Sequence, residues 1–339
     1  MTRSSAWLAT GRVANLPSVW THVLTGALLG NFGTFPNSPG FLWQFGALLL
    51  LASLFYVGGC LLGDARDAAF DAAYRPGRPI PSGILSARSV ARAAWVMLLG
   101  AWLLAPLVLP ATIYQTRGLT LADLGGALAD GTLLRLPLAH QVLTSSLLLA
   151  AIVSYAVLHK RVPQAGLPLM GACRGLLVIW AASHAGYDER PAAAALDWFF
   201  LTPAVLAAAA ATTAFTIGFV LVARSESKPD QPVPARLVRA ILLAAPLVAL
   251  ATARHGLPTP SIMDAPMAAL GATIAIYLSW IAIALRALPR SKPAFVSRCL
   301  AGFCLLDACF LALASPALAL VALAGFLLAL GLQRLTPAT

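Results

Sequence analysis

The sequence predicts an all-α, polytopic membrane bundle, and three observations carry that reading. The 339 residues are 60% hydrophobic and only 10% charged, with a mean hydropathy of +0.83, whereas soluble domains carry about a quarter charged residues. The apolar residues fall in runs close to the ~20 that a helix needs to cross a bilayer core. Within those runs Ala and Leu dominate and two-residue alternation is absent, which selects helices over barrel strands.

Taken in order, the runs place spans near 14–31, 41–63, 89–110, 139–158, 168–186, 197–222, 235–253, 265–287 and 296–313, with a shorter tenth candidate near 316–333. One domain, 1–339, is expected: a core bundle over about 10–313 and a terminal helix in 314–339. Met1 to Arg12 lacks the layout of a cleavable signal. Of the 23 Lys and Arg residues, Arg117, Arg135, Arg190 and Arg254 fall on one side and Arg174 within a span. The remaining 18 lie on the other side, together with the N-terminus. By the positive-inside rule that side is cytoplasmic, which places the chain as an integral protein of a prokaryotic plasma membrane. The net charge of +11 has the same origin and does not indicate nucleic-acid binding. The five cysteines, at 60, 173, 299, 304 and 309, sit in apolar runs without metal-type spacing and read as small packing residues. Gly26, Gly30, Gly58 and Gly59 are expected to let helices approach closely.

Chemistry concentrates directly after the second span, in Gly63-Asp64-Ala-Arg66-Asp67-Ala-Ala-Phe-Asp71 and the following Arg75-Pro-Gly-Arg78-Pro79-Ile80-Pro81-Ser82-Gly83. Three of the 12 acidic residues occur here within eight positions. On a helix Asp64, Asp67 and Asp71 share a face about 60° wide. Convergent carboxylates repel unless a cation joins them, and hard oxygen ligands suit Mg²⁺, which commonly takes one or two carboxylates plus substrate phosphates. Arg75 and Arg78 supply forked donors for phosphate oxygens. A solvated acidic-basic loop between two spans is the plainer alternative. The His159-Lys160-Arg161 and Arg224–Lys228 turns are expected at the same end of the bundle.

A charge within the bilayer is costly and marks function by default. Arg174, about four residues into its span, is the best case, as the binder of an anion or carboxylate, with snorkelling to the cytoplasmic surface as the plainer alternative. Asp307 lies mid-span with no evident partner. Asn15, Trp20, Thr21 and His22 lie along the first span, with Trp20 expected to pack and His22 to be a satisfied core histidine. Tyr155 sits one turn before His159.

These residues resemble a known family. Asp64, Asp67 and Asp71, followed by Arg78-Pro79-Ile80-Pro81-Ser82-Gly83, resemble the first aspartate-rich motif of the UbiA superfamily of intramembrane prenyltransferases. Arg12-Val-Ala-Asn15-Leu-Pro17-Ser-Val-Trp20-Thr21 resembles the family's first helix. His159-Lys160, Met170-Gly-Ala-Cys173-Arg174 and Ala223-Arg224-Ser225-Glu226 are similar to its EboC-like branch. The resemblance implies nine spans around a central cavity, and transfer of an isoprenoid from a prenyl diphosphate to a lipophilic acceptor. It also implies Mg²⁺ on Asp64, Asp67 and Asp71 as catalytic and metal residues. Asn15, Arg75, Arg78, Tyr155, Lys160, Arg174 and Glu226 become substrate-binding residues. Two departures accompany it. Gly63 stands where the family has asparagine, and the turn after the sixth span keeps one carboxylate, Glu226, where the family has a second acidic motif. A non-catalytic protein that binds or moves an isoprenoid-type ligand is the alternative.

Overall fold

The computed structural model describes residues 2–30, 39–108, 137–185, 200–226, 233–255 and 264–336. Among them every regular element is helical: α1 Arg3–Thr10, α2 Leu16–Gly30, α3 Pro39–Arg66, α4 Ala68–Tyr74, α5 Ala87–Leu104, α6 Pro137–Leu158, α7 Pro163–His184, α8 Pro203–Ala223, α9 Ala235–His255, α10 Asp264–Ala287, α11 Lys292–Ala312 and α12 Pro316–Leu335. Helix starts follow local chemistry. The hydroxyls of Ser86, Thr202, Ser291 and Ser315 each accept the backbone N–H three residues on, at the heads of α5, α8, α11 and α12. Proline follows closely in the last three, where its missing N–H costs nothing.

Nine of these helices are long and apolar enough to cross a membrane, so the chain is an integral membrane protein. The set differs from the expected nine. The run near 14–31 folds as a 3₁₀ turn, Val13–Asn15, and then α2, whose 15 residues are nearly all buried. At 1.5 Å per residue α2 is about 22 Å long, short of a ~30 Å bilayer core. The tenth candidate becomes α12, 20 residues with a mean hydropathy of 2.0. The outer-side Arg117, Arg135 and Arg190, and also Lys228, lie outside the described residues.

Burial ranks the helices from centre to rim. In α11, 83% of the spanning window is buried, against 17% in α12, where Leu320 and Leu327 are exposed as a lipid-facing surface requires. Two apolar clusters form the interior. One gathers α8 to α12 and the other gathers α1, α3, α5 and α6, while α2 and α7 contribute to both. Close approach of α2 to α7 depends on glycine: a Cβ on Gly26 would strike the Val178 carbonyl, and one on Gly30 would lie 2.8 Å from the Ala182 backbone. Gly58 and Gly59 likewise admit Leu98 and Ile152. Buried Cys299, Cys304 and Cys309 are free thiols in the packing of α11.

Candidate functional site

The acidic stretch bends at its middle residue. α3 ends at Arg66, Asp67 has φ −83° and ψ 1°, and α4 begins at Ala68. Backbone bonds from Asp67 N–H to Gly63 O (2.9 Å) and from Asp71 N–H to Asp67 O (2.8 Å) carry the chain across the bend. Asp64 and Asp71 therefore keep a common face, and Arg78 joins them. Its Nη1 is 2.8 Å from Asp71 Oδ2 and 3.6 Å from Asp64 Oδ1. Arg78 reaches back because the chain turns sharply after α4, ending at Gly83, whose φ of +78° suits a residue without Cβ. Arg75 closes α4 through its N–H to Asp71 O.

Each carboxylate has cationic company. Arg12 Nη2 is 3.1 Å from Asp64 Oδ1, and that carboxylate raises the guanidinium's pKa above its ordinary value, against the lowering effect of burial. Arg12 pairs from a left-handed backbone, φ 47°, a conformation that costs a residue with a Cβ about 1–2 kcal/mol. Asp67 turns toward the α6–α7 connection, with Oδ2 3.0 Å from His159 Nε2 and 3.7 Å from Lys160 Nζ. Burial pushes the Asp67 carboxyl up, but the hydrogen bond and charge of His159, with Lys160 and Arg78, outweigh it and hold the group below its usual value. Tyr155 holds His159, its carbonyl 2.8 Å from Nδ1 and its ring stacked on the imidazole at 4.8 Å. Lys160 Nζ also lies 3.8 Å over the Phe70 ring.

Beneath this charged layer, Asn15 Nδ2 donates to Tyr56 Oη at 3.1 Å. Arg174, buried, donates to Ser18 Oγ at 3.2 Å, and its guanidinium lies 5.0 Å from the Tyr56 ring centroid and 4.8 Å from that of Phe303. Trp20 packs as expected and donates to Ser53 Oγ at 2.9 Å. Asp307 does have partners. Thr21 Oγ1 donates to its Oδ2 at 2.5 Å, and His22 Nδ1 lies 2.7 Å from the same oxygen. Sequence reading missed this pairing because 285 residues separate His22 from Asp307. A shared depth in two spans was the signal that could have found it.

The structure thus brings Asp64, Asp67, Asp71, Arg78, Arg12, His159, Lys160 and Tyr155 to one end of the bundle, with Asn15 and Arg174 just below. Arg12 and His159 were not among the candidate site residues, although both lie in stretches carrying the resemblance. Glu226 ends the 3₁₀ turn after α8, but its side chain lies outside the described residues. The neighbouring Ser225 carbonyl accepts from Lys292 Nζ at 3.1 Å.

Carboxylate oxygens are the right donors for Mg²⁺, and Asp64 and Asp71 already face one positive group. Among the described residues, however, no three His, Cys, Asp or Glu side chains gather closely enough to hold a metal. Asp64 and Asp71 alone form no all-protein cage, so a cation on them would need further oxygen ligands from outside the chain.

The sequence matches no family model and no curated protein. Among solved structures it is similar to a digeranylgeranylglyceryl phosphate synthase studied in membranes, with a TM-score of 0.52 over 93% of this chain and 98% of that one, at 13% identity. The two chains share a fold.

Proposed function

We propose that the protein is a membrane prenyltransferase of the UbiA type, which moves an isoprenoid group from a prenyl diphosphate to a lipophilic acceptor. The observation carrying this reading is Arg78 bridging Asp64 and Asp71 in a bundle that shares the fold of a prenyl-transferring synthase. Kinship with the EboC-like branch belongs to the same proposal and rests on His159-Lys160, Met170 to Arg174 and Ala223 to Glu226.

In this reading Asp64 and Asp71 hold Mg²⁺, and neutralisation of the leaving diphosphate is the chemistry the ion supplies when bound. Arg78 swings from the carboxylates to phosphate oxygens, where its fork matches the geometry, and Arg75 and Lys160 add charge from the flanks. Arg12 stays on Asp64 and fixes it. His159 orients Asp67, held in turn by Tyr155. Asn15 and Tyr56 place a polar floor beneath the diphosphate. Apolar side chains surrounding the isoprenoid exclude the water that would quench an allylic cation.

A second reading has one observation in its favour. The turn Arg224-Ser225-Glu226 offers a single carboxylate where a second acidic motif would stand, which suits a protein that binds an isoprenoid diphosphate without cleaving it. Purified protein in lipid, incubated with labelled geranylgeranyl diphosphate and Mg²⁺, separates the two. Diphosphate release that is lost in Asp64→Ala supports transfer, whereas saturable binding without release supports ligand handling.

A further inference from the structure

The last three helices form a seam that prenyl transfer does not use. α11 is laced to both of its neighbours at consecutive residues. Ser297 Oγ donates to Gln333 Oε1 of α12 at 2.9 Å, and Gln333 Nε2 donates back to the Ser297 carbonyl at 3.1 Å. The next carbonyl, that of Arg298, accepts from Trp280 Nε1 of α10 at 2.8 Å. The Trp280 and Phe326 rings then meet edge to face, with centroids 4.8 Å apart, and close the floor between α10 and α12. On α11, Ser297 turns toward α12, and a Cβ on Gly302 would lie 3.4 Å from the Trp280 ring. The side chain of Arg298 leaves the helix between those two directions, toward the seam.

The mouth of the seam is cationic. Arg286 ends α10 and Arg290 follows on a tight turn, where its N–H and that of Ser291 both reach the Ala287 carbonyl. Arg334 lies in the last turn of α12. These three arginines are exposed, and Arg298 is partly buried. No carboxylate answers them. From residue 265 onward the chain has one acidic residue, Asp307, and it is buried against Thr21 and His22. Among the described residues the ion pairs all lie elsewhere, on Asp64, Asp67, Asp71 and Asp307. Orientation by the positive-inside rule needs cations on one side of the membrane, but not a partly buried one where three helices meet. Apolar walls run away from this mouth. Ile283 stands one turn from Trp280, Leu327 stands beside Phe326, and both are exposed.

We propose that this seam binds an anionic phospholipid. Its head-group phosphate sits among Arg298, Arg286, Arg290 and Arg334, and its acyl chains lie along Ile283 and Leu327. Charge complementarity selects the occupant: guanidinium forks match phosphate oxygens, and basic pockets between spans suit anionic head groups. The apolar walls select a lipid of the surrounding leaflet over a free phosphate. The lipid has a structural task. α12 is the least buried span, at 17%, yet it covers α2, where a Cβ on Gly325 would lie 3.2 Å from Thr21 Cγ2. A head group held from both α10 and α12 straps that cover down.

The test uses the full chain, delipidated in neutral detergent and incubated with dioleoyl phosphatidylglycerol or dioleoyl phosphatidylcholine. Native mass spectrometry counts the bound lipid. Phosphatidylglycerol should bind about tenfold more tightly or better, and Arg298→Gln should weaken it about fivefold, the worth of one cation near an anionic surface. Phosphatidylcholine binding should not change in that variant. Arg334→Gln, at an exposed position, should act in the same direction and serves if Arg298→Gln fails to fold. Arg239→Gln is the control and should leave both lipids unaffected. It lies on α9, which meets α10 on the side of Tyr277, whose Oη donates to the Leu242 carbonyl. Equal binding of the two lipids, or equal losses in Arg298→Gln and Arg239→Gln, would reduce the arginines to a general positive surface and overturn the site. Displacement of phosphatidylglycerol by an equal concentration of glycerol 3-phosphate would make it a free-phosphate site and overturn it as well. Diphosphate release enters none of these readouts, so prenyl transfer stands or falls separately.

Discussion

His159 Nε2 meets Asp67 Oδ2 at 3.0 Å across 92 residues of sequence, tying the end of α6 to the bend between α3 and α4. Because Asp67 is held below its usual pKa, the ionised carboxylate is favoured in the folded state. Its contribution to stability is complete above the ordinary aspartate value of about 3.9 and is lost as pH falls through the depressed one. Thermal unfolding from pH 7 to pH 3 should therefore show an acid limb that is shallower in Asp67→Asn. An identical limb in both proteins would assign the acid sensitivity elsewhere.

Arg78 neutralises two carboxylates at once, so its removal leaves them facing each other. Arg78→Ala should lower stability by about 1–3 kcal/mol, the usual cost of stranding a largely buried charged partner. Mg²⁺ should then raise the melting temperature of Arg78→Ala more than that of the wild type, since the ion and the guanidinium compete for one place. Equal shifts would mean that Asp64 and Asp71 are not where the cation binds.

Packing between α7 and α8 leaves no room at Gly175. A Cβ there would collide with Thr213 Oγ1 and lie 2.9 Å from the Ala209 carbonyl, and backbone cannot yield as a flexible side chain can. Gly175→Ala should cost about 1–3 kcal/mol, as overpacking does, measured by unfolding in detergent.

Gly63 is the reverse case. A Cβ there meets nothing within 4 Å, although the residue lies in the last turn of α3. Gly63→Ala should stabilise the protein by about 0.5–1 kcal/mol. Gly63→Asn should be tolerated sterically, and Mg²⁺-dependent diphosphate release compared between Gly63→Asn and the wild type measures what the missing asparagine is worth.

Much of the fold was legible because hydrophobic run length is a local quantity. The bounds of α3, α6 and α9 follow from where the apolar runs stop. The reading failed at α2, where a run of spanning length includes a 3₁₀ turn, while the shorter tenth candidate near 316–333 corresponds to α12. In the site, the spacing of Asp64, Asp67 and Asp71 placed the chemistry but predicted an unbroken helical face. At the bend, Asp67 pairs with His159 and Lys160, which come from a distant connection that local spacing does not describe. Asp307 lacked a partner for the same reason: periodicity describes one helix at a time, and its partner lies on another.

The placement of α2 also bears on how the protein is made. Its 15 residues carry Ser18, Thr21 and His22, and the helix is too short to span alone. Thr21 and His22 find Asp307 only in α11, 286 and 285 residues later. Ribosomal synthesis therefore delivers the polar helix first and its partner nearly last. During that interval α2 must wait at the membrane surface or shelter in the insertion machinery, and the bundle closes around it only once α11 has been threaded in.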